Sequence, residues 1–292
     1  MKEALFYKQL SDGKVQCVLC PWDCKIASNK FGICGARKNV GGKLYSLIYA
    51  KVSSMAVDPI EKKPLYHFHP GTKVLSVGTY GCNMRCGHCQ NWQIAHVKEI
   101  ERQQGQDVSP ARLVEIARET NSSGIAWTYN EPTIWFEYAY DSAMLAKKAG
   151  LYTVWVTNGY INLDALDMIG SYLDAYRVDI KGFSEDFYSK LTGVRNFKPI
   201  LAAAERAQKK WDMHVEIITL VIPTMNDDDE QLNGIARWIV ETLGPDTVWH
   251  LNRFLPCLDF RHLPPTPLPT LEKAKALGQA AGLKNVYIGN IL

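Results

Sequence analysis

From Val74 onward the chain alternates short runs rich in β-branched and aromatic residues with longer stretches whose apolar positions recur at helical spacing. Six runs read as strands: VLSVGT ending at Thr79, GIAWTY ending at Tyr129, YTVWVT ending at Thr157, AYRVDIK ending at Lys181, HVEIITLVIP ending at Pro223, and VWHLNRFL ending at Leu255. A shorter seventh run, NVYIG, follows near the end. Between them Ser109-Pro110 opens one helix, Asp227 to Asp229 open another, and Pro269-Thr270 opens a third that Gly282 closes. Strand and helix in alternation build a parallel sheet through right-handed crossovers. The expected fold class is α/β. Periodicity alone leaves a flat doubly wound sheet beside a partial (β/α)6 TIM-type barrel, and the chemistry at the strand ends favours the barrel.

Residues 1 to about 70 break this rhythm, with Gly and Lys interspersed, four cysteines and short strand-like runs such as LYSLIYAKVSSMAV. They read as a small cysteine-rich N-terminal appendage (1–70) packed on a core with a C-terminal helix (71–292). The segment LPPTPLPT, 263–270, is a stiff connection leading into that helix. At 292 residues the chain can bury a full core. Its net charge of +3 is dispersed, so no basic stripe asks for nucleic acid. The opening MKEALFYKQLSDGK lacks the regions of a signal peptide, and the apolar stretch 217–223 falls far short of the ~20 residues that cross a bilayer. A soluble, cytoplasmic protein is expected. In the reducing cytosol, eight cysteines point to metal rather than disulfides.

Directly after the first strand, GTYGCNMRCGHCQNWQ places Cys82, Cys86 and Cys89 on the loop at a strand's carboxyl end, where barrel active sites are built. Ferredoxin-type clusters take four thiolates; this loop offers three and leaves one iron open. A zinc loop borrowing His88 is the competing reading, although His88 reads better as packing than as a ligand. The C-x3-C-x2-C spacing resembles the radical S-adenosylmethionine (SAM) superfamily. That resemblance implies a 4Fe-4S cluster, SAM chelated at the open iron, and reductive cleavage of SAM to a 5′-deoxyadenosyl radical that abstracts hydrogen from a substrate. An electron donor such as a flavodoxin or ferredoxin is implied with it.

Later strand ends carry the candidate SAM contacts. Tyr129-Asn130-Glu131-Pro132 resembles the superfamily's Gly-Gly-Glu-Pro element, with Asn130 in place of a glycine; Glu131 capping the next helix is the alternative. Thr157-Asn158-Gly159 and Asp179-Ile180-Lys181 resemble elements of the glycyl-radical-enzyme activases, with Val156 where those carry an Asp. Asp179 and Lys181 share one face of their strand, where an ion pair filling the barrel is the alternative. Glu216, Pro223 to Asn226, His250, Asn252 and Arg253 are polar candidates for the barrel mouth, Arg253 for a carboxylate. Trp92, Trp127, Tyr129, Trp135, Phe136 and Tyr138 form a candidate aromatic apron, the last three equally readable as core.

Taken together, CVLCPWDC with GICGAR, KVSSMAVDPIEKKPLYHFHPG, GCNMRCGHCQNW, TYNEPTIWFEY and LPPTP resemble, from about residue 15 to 290, the radical SAM enzyme of the AmmeMemoRadiSam system, a group related to pyruvate-formate-lyase activating enzymes. Members usually run on past the final Gly-Asn and often carry His or an aromatic residue where Leu255 stands, so no role for such a tail is expected. The resemblance implies an oxidoreductase whose substrate is open: a protein glycine, or a small molecule or peptide. A non-enzymatic iron-sulfur electron carrier is the alternative of another class, and three thiolates argue against it. The N-terminal Cys17, Cys20, Cys24 and Cys34 offer four thiolates, enough for zinc or an auxiliary iron-sulfur cluster, with buried reduced thiols as the alternative. Cys257 reads as a core or surface thiol.

Overall fold

The computed structural model describes residues 1–291. Seven parallel strands run in chain order across one sheet: β2 (Lys73–Gly78), β3 (Gly124–Trp127), β4 (Tyr152–Thr157), β5 (Ala175–Asp179), β6 (His214–Val221), β7 (Val248–Arg253) and β8 (Val286–Gly289). Each pairs with the strand before it, so every crossover steps the same way and the sheet winds singly. This is the partial barrel, not the doubly wound alternative, which would reverse its strand order. An eighth strand, β1 (Ser54–Pro59), pairs antiparallel with β2 along its whole length. Part of the first seventy residues therefore belongs to the barrel sheet; its register puts Asp58 opposite Val74.

Seven helices of eight or more residues lie outside the strands: α1 (Pro110–Glu119), α2 (Phe136–Lys148), α3 (Leu163–Gly170), α4 (Glu185–Thr192), α5 (Lys198–Trp211), α6 (Asp229–Trp238) and α7 (Leu268–Ala280). The expected starts are there. Ser109 accepts the Arg112 amide at 3.2 Å with Pro110 in the first turn, and Asp228 accepts the Gln231 amide at 2.9 Å. Each satisfies an amide that the helix leaves without an internal partner.

Alternation along the strands divides the interior in two. Outward residues such as Val77, Trp127, Trp155 and Val178 pack beneath the helices in the main core. Inward residues Val74, Ala126, Val154, Val156 and Ala175 form a smaller core with Ile60, Leu65 and Phe68, so the chain that follows β1 plugs the barrel floor.

The remaining N-terminal residues form two small antiparallel sheets: Tyr7–Gln9 with Val15–Cys17 and Lys25–Ile26, and Lys2–Glu3 with Lys43–Ser46 and Arg37–Val40. Arg37 anchors them, pairing its guanidinium with the Glu137 carboxylate of α2 at 2.7 Å, both side chains buried. No helix among the described residues is long and apolar enough to cross a membrane.

Candidate active site

A cavity of about 450 Å³ opens at the carboxyl end of the barrel strands. Cys82, Cys86, Cys89, Asn130, Glu131, Thr157, Asn158, Asp179 and Lys181 all line it. Residues chosen from four separate strand ends thus share one wall.

The cysteine loop begins at Gly81, whose φ is +93°. A Cβ there would stand 2.9 Å from the Cys34 carbonyl oxygen, so only glycine fits this close approach of appendage to loop. Asn130 clamps the strand-to-loop passage: its Oδ1 accepts the Thr79 amide at 3.0 Å and its Nδ2 donates to the Gly81 carbonyl at 2.8 Å. Asn158 braces the next residues, donating to Asn83 Oδ1 at 2.8 Å with Cys82 Sγ at 3.7 Å from the same nitrogen. Glycine in place of Asn130 makes neither clamp, so the departure from the superfamily element has a local purpose here.

Glu131 is almost fully buried. Its Oε1 accepts the Thr133 amide at 2.9 Å and the Thr157 hydroxyl at 2.6 Å, and its Oε2 accepts the Asn158 amide at 2.8 Å. It therefore caps the turn that begins at Pro132 and also joins β3 to β4 at the cavity wall. Burial pushes its carboxyl above the usual carboxylate range, against these donors.

Along β5 a charged ladder faces the cavity. Asp179 sits between Arg177 and Lys181, accepting from Lys181 Nζ at 2.9 Å and from the Arg177 guanidinium. Burial would raise the Asp179 carboxyl, but the two cations outweigh it and hold it at about 2. Arg177 Nε donates to the Lys63 carbonyl at 2.7 Å, and Lys63 Nζ donates to buried Asp58 at 2.6 Å. Lys62, Lys63 and Arg177, all lining the cavity, were not singled out from sequence. Arg177 was legible in principle, since it stands two residues before Asp179 on the same strand face.

Burial pushes the Cys82, Cys86 and Cys89 thiols upward, Cys89 to about 11. The Met84 amide donates to Cys82 Sγ at 3.4 Å. Among the described residues no three His, Cys, Asp or Glu side chains converge on the span of a single metal ion. A cubane cluster asks for less convergence, because each thiolate takes a different iron. Three thiols lining one cavity, without a fourth among its described lining, match in number the donors of a cluster with one open iron.

Other candidates fall elsewhere. His88 is buried at the cavity with its ring against Phe260, and burial lowers its pKa to about 3, which suits the packing reading. Glu216 and His250 lie at the barrel floor rather than the mouth, because they sit near the amino ends of β6 and β7. Arg253 donates to the Thr266 carbonyl at 2.9 Å and does not line the cavity; the 263–270 connection, which is buried only at Thr266, captures it. Asn226 is buried, donating to Lys181 and Leu220 carbonyls and accepting the Ile222 amide. Asn252 does line the cavity. Of the aromatic apron only Tyr129 reaches it; Trp127, Trp135, Phe136 and Tyr138 are core, and Trp92 is exposed. Cys257 lies nearer the loop than its sequence position suggests, its thiol donating to the Cys89 carbonyl at 3.4 Å.

Comparison with known proteins agrees with this architecture. The chain is 42% identical over 291 residues to an uncharacterized protein of Methanocaldococcus jannaschii, spanning all of this chain and 86% of that one. It is 26% identical over 165 residues to the pyruvate formate-lyase 1-activating enzyme of Escherichia coli, 54% of this chain and 65% of that one. A radical SAM methyltransferase from Sphaerobacter thermophilus superposes with a TM-score of 0.59 at 15% identity, covering 76% of this chain and 67% of that one, which shows a shared fold. The model of the radical SAM superfamily matches residues 76–233, from the first parallel strand through the cysteine loop to the helix after β6, and the chain belongs to that superfamily.

Proposed function

We propose that the protein is the radical SAM enzyme of the AmmeMemoRadiSam system, an oxidoreductase related to the glycyl-radical-enzyme activases. The single observation behind this reading is that Cys82, Cys86 and Cys89 share one cavity with Glu131, Asn158, Asp179 and Lys181. The system-level assignment rests on the motifs running from CVLCPWDC to LPPTP across almost the whole chain.

In this reading the three thiolates hold a 4Fe-4S cluster with one open iron. The cluster with SAM supplies one-electron cleavage of the sulfonium and a 5′-deoxyadenosyl radical able to take hydrogen from a substrate. The chain's own part is to orient and to exclude. Asn130 and Asn158 fix the loop through hydrogen bonds that involve no cofactor atom. Glu131 keeps the β3 and β4 ends in register and places carboxylate charge beside Cys82. Asp179 and Lys181 set a fixed ion pair at the wall, Lys181 on the side toward Cys86 and His88. Such a preoriented pair can receive the amino and carboxylate groups of SAM with little reorganisation. Apolar wall residues Val156, Ile218 and Leu220 keep water from a reactive radical.

A flavodoxin or ferredoxin is the reductant this chemistry calls for, and a protein glycine is the substrate the activase relatives suggest. Anaerobic reconstitution with iron, sulfide, dithionite and SAM tests the reading. Formation of 5′-deoxyadenosine supports it; an intact cluster that yields none overturns it.

A further inference from the structure

The appendage carries a second set of thiols, Cys17, Cys20, Cys24 and Cys34. Cys17 and Cys24 stand across a strand pair, with the Cys17 amide donating to the Cys24 carbonyl at 2.9 Å. Cys20 lies in the turn between them, its carbonyl accepting the Asp23 amide at 3.1 Å. The turn that holds Cys34, closed by the Gly35 amide on the Gly32 carbonyl at 2.9 Å, lies against Cys24, whose Sγ is 3.9 Å from where a Cβ on Gly32 would stand. As in the 82–89 loop, no three of these side chains converge on a single metal ion, which leaves the wider span of a cluster with one thiolate per iron.

The two thiol sets also touch through three bridges. The Cys34 carbonyl meets Gly81, the neighbour of Cys82. Trp22, two residues after Cys20, donates its indole N–H to the Asn83 carbonyl at 2.7 Å, again beside Cys82. Arg85, the neighbour of Cys86, donates to the Ile33 carbonyl at 3.3 Å, beside Cys34. Every bridge runs between residues no more than two positions from a thiol on each side. Short covalent and hydrogen-bonded paths of this kind suit transfer of single electrons.

We propose that Cys17, Cys20, Cys24 and Cys34 hold a second iron-sulfur cluster, ligated by all four thiolates, which relays electrons to the site at Cys82, Cys86 and Cys89. The relay rests on the radical SAM reading; the second cluster does not. One electron from an external reductant of the flavodoxin or ferredoxin class reduces the appendage cluster. That cluster returns to its oxidised state as the electron passes to the barrel site, so one donor electron is consumed per SAM cleaved. A closed thiolate set suits this task, since no iron is left open to bind SAM or substrate. Zinc would take the same donors but exchange no electrons.

The first test uses the full chain with Cys82→Ala, Cys86→Ala and Cys89→Ala combined, reconstituted anaerobically with iron and sulfide. It is expected to keep about four irons per chain and, once reduced by dithionite, a paramagnetic signal that SAM does not shift. Zinc in place of iron, or a folded chain holding neither, overturns the second cluster. The second test compares wild type with Cys20→Ser/Cys24→Ser, following reduction of the SAM-responsive signal by photoreduced flavodoxin. Loss of that reduction, while dithionite still produces the signal, is expected; equal flavodoxin rates overturn the relay. Failure of wild type to form 5′-deoxyadenosine would sink the radical reading while leaving the iron count of the triple variant to stand on its own.

Discussion

The mouth and the floor of the barrel each hold a carboxylate among cations or imidazoles, half-buried Asp179 at the mouth and fully buried Glu216 at the floor, yet the two do different work. At the floor, Glu216 accepts from the Tyr66 amide at 3.1 Å, the His67 amide at 2.9 Å, His214 at 2.8 Å and His250 at 2.6 Å. Its acceptor sites are spent on the scaffold, and its four donors hold the plugging segment against β6 and β7. At the mouth, Asp179 and its partners Arg177 and Lys181 all line open space. Satisfied polar groups specify a packed interior, whereas ion pairs at a cavity wall can still meet a ligand.

The sharpest way to break this contrast is at the thiols. Cys86→Ala should abolish 5′-deoxyadenosine formation and leave the chain folded, as read by product analysis beside circular dichroism. Retained cleavage would remove the loop from the site. At the floor the effect should fall on stability instead: Glu216→Ala removes a fully buried carboxylate and leaves buried His250, His214 and two backbone amides without their acceptor, which should cost about 3–5 kcal/mol in urea unfolding. A loss below about 1 kcal/mol would show that water or neighbours replace the carboxylate.

Acid sharpens the same comparison. Burial pushes the Glu216 carboxyl up, but His214, His250 and two backbone amides outweigh it and hold it at about 2. The folded value lies below the unfolded one of roughly 4.3, so this stabilisation is complete above that pH and drains as pH falls toward the folded value. Unfolding free energy should drop between about pH 5 and pH 3, and less steeply in Glu216→Gln. Parallel curves would show that other carboxylates carry the dependence.

Smaller effects are expected at the wall. Asp179→Asn leaves Arg177 and Lys181 without their counter-charge and should weaken SAM binding by about tenfold, with fold stability little changed. Equilibrium binding of SAM to the reconstituted variant measures this, and unaltered affinity would make the pair structural. Asn130→Ala removes two hydrogen bonds and should lower stability by about 1–3 kcal/mol, with cluster occupancy after reconstitution as a second readout.

Much of this was legible in the chain because it depends on local pattern. Strands alternating with capped helices foretold the barrel, and loops at strand ends foretold that Cys82, Glu131, Asn158 and Asp179 would share a wall. The floor was not legible. His67, Glu216 and His250 meet across separations of up to 183 residues, and nothing in their own neighbourhoods marks which end of a strand they occupy. Arg253 failed for a related reason: its partner, the Thr266 carbonyl, lies in a connection whose sequence signals stiffness but not position. The run ending at Val57 read as a strand of the appendage; its place in the barrel sheet was not legible because nothing in that run marks β2 as its partner.

The floor carboxylate also orders events in time. Strands β2 to β8 pair with neighbours in the chain, so the sheet can grow as synthesis proceeds. The plug at Tyr66 and His67 is made early, yet its acceptor emerges about 150 residues later, a delay of roughly 8–30 s at ribosomal rates. Until then, the inward faces of β2 and β3 have only a loosely held cover. Glu216 thereby acts as a late fastening that leaves the barrel unsealed until six of its seven parallel strands, counting β7 with His250, have left the ribosome.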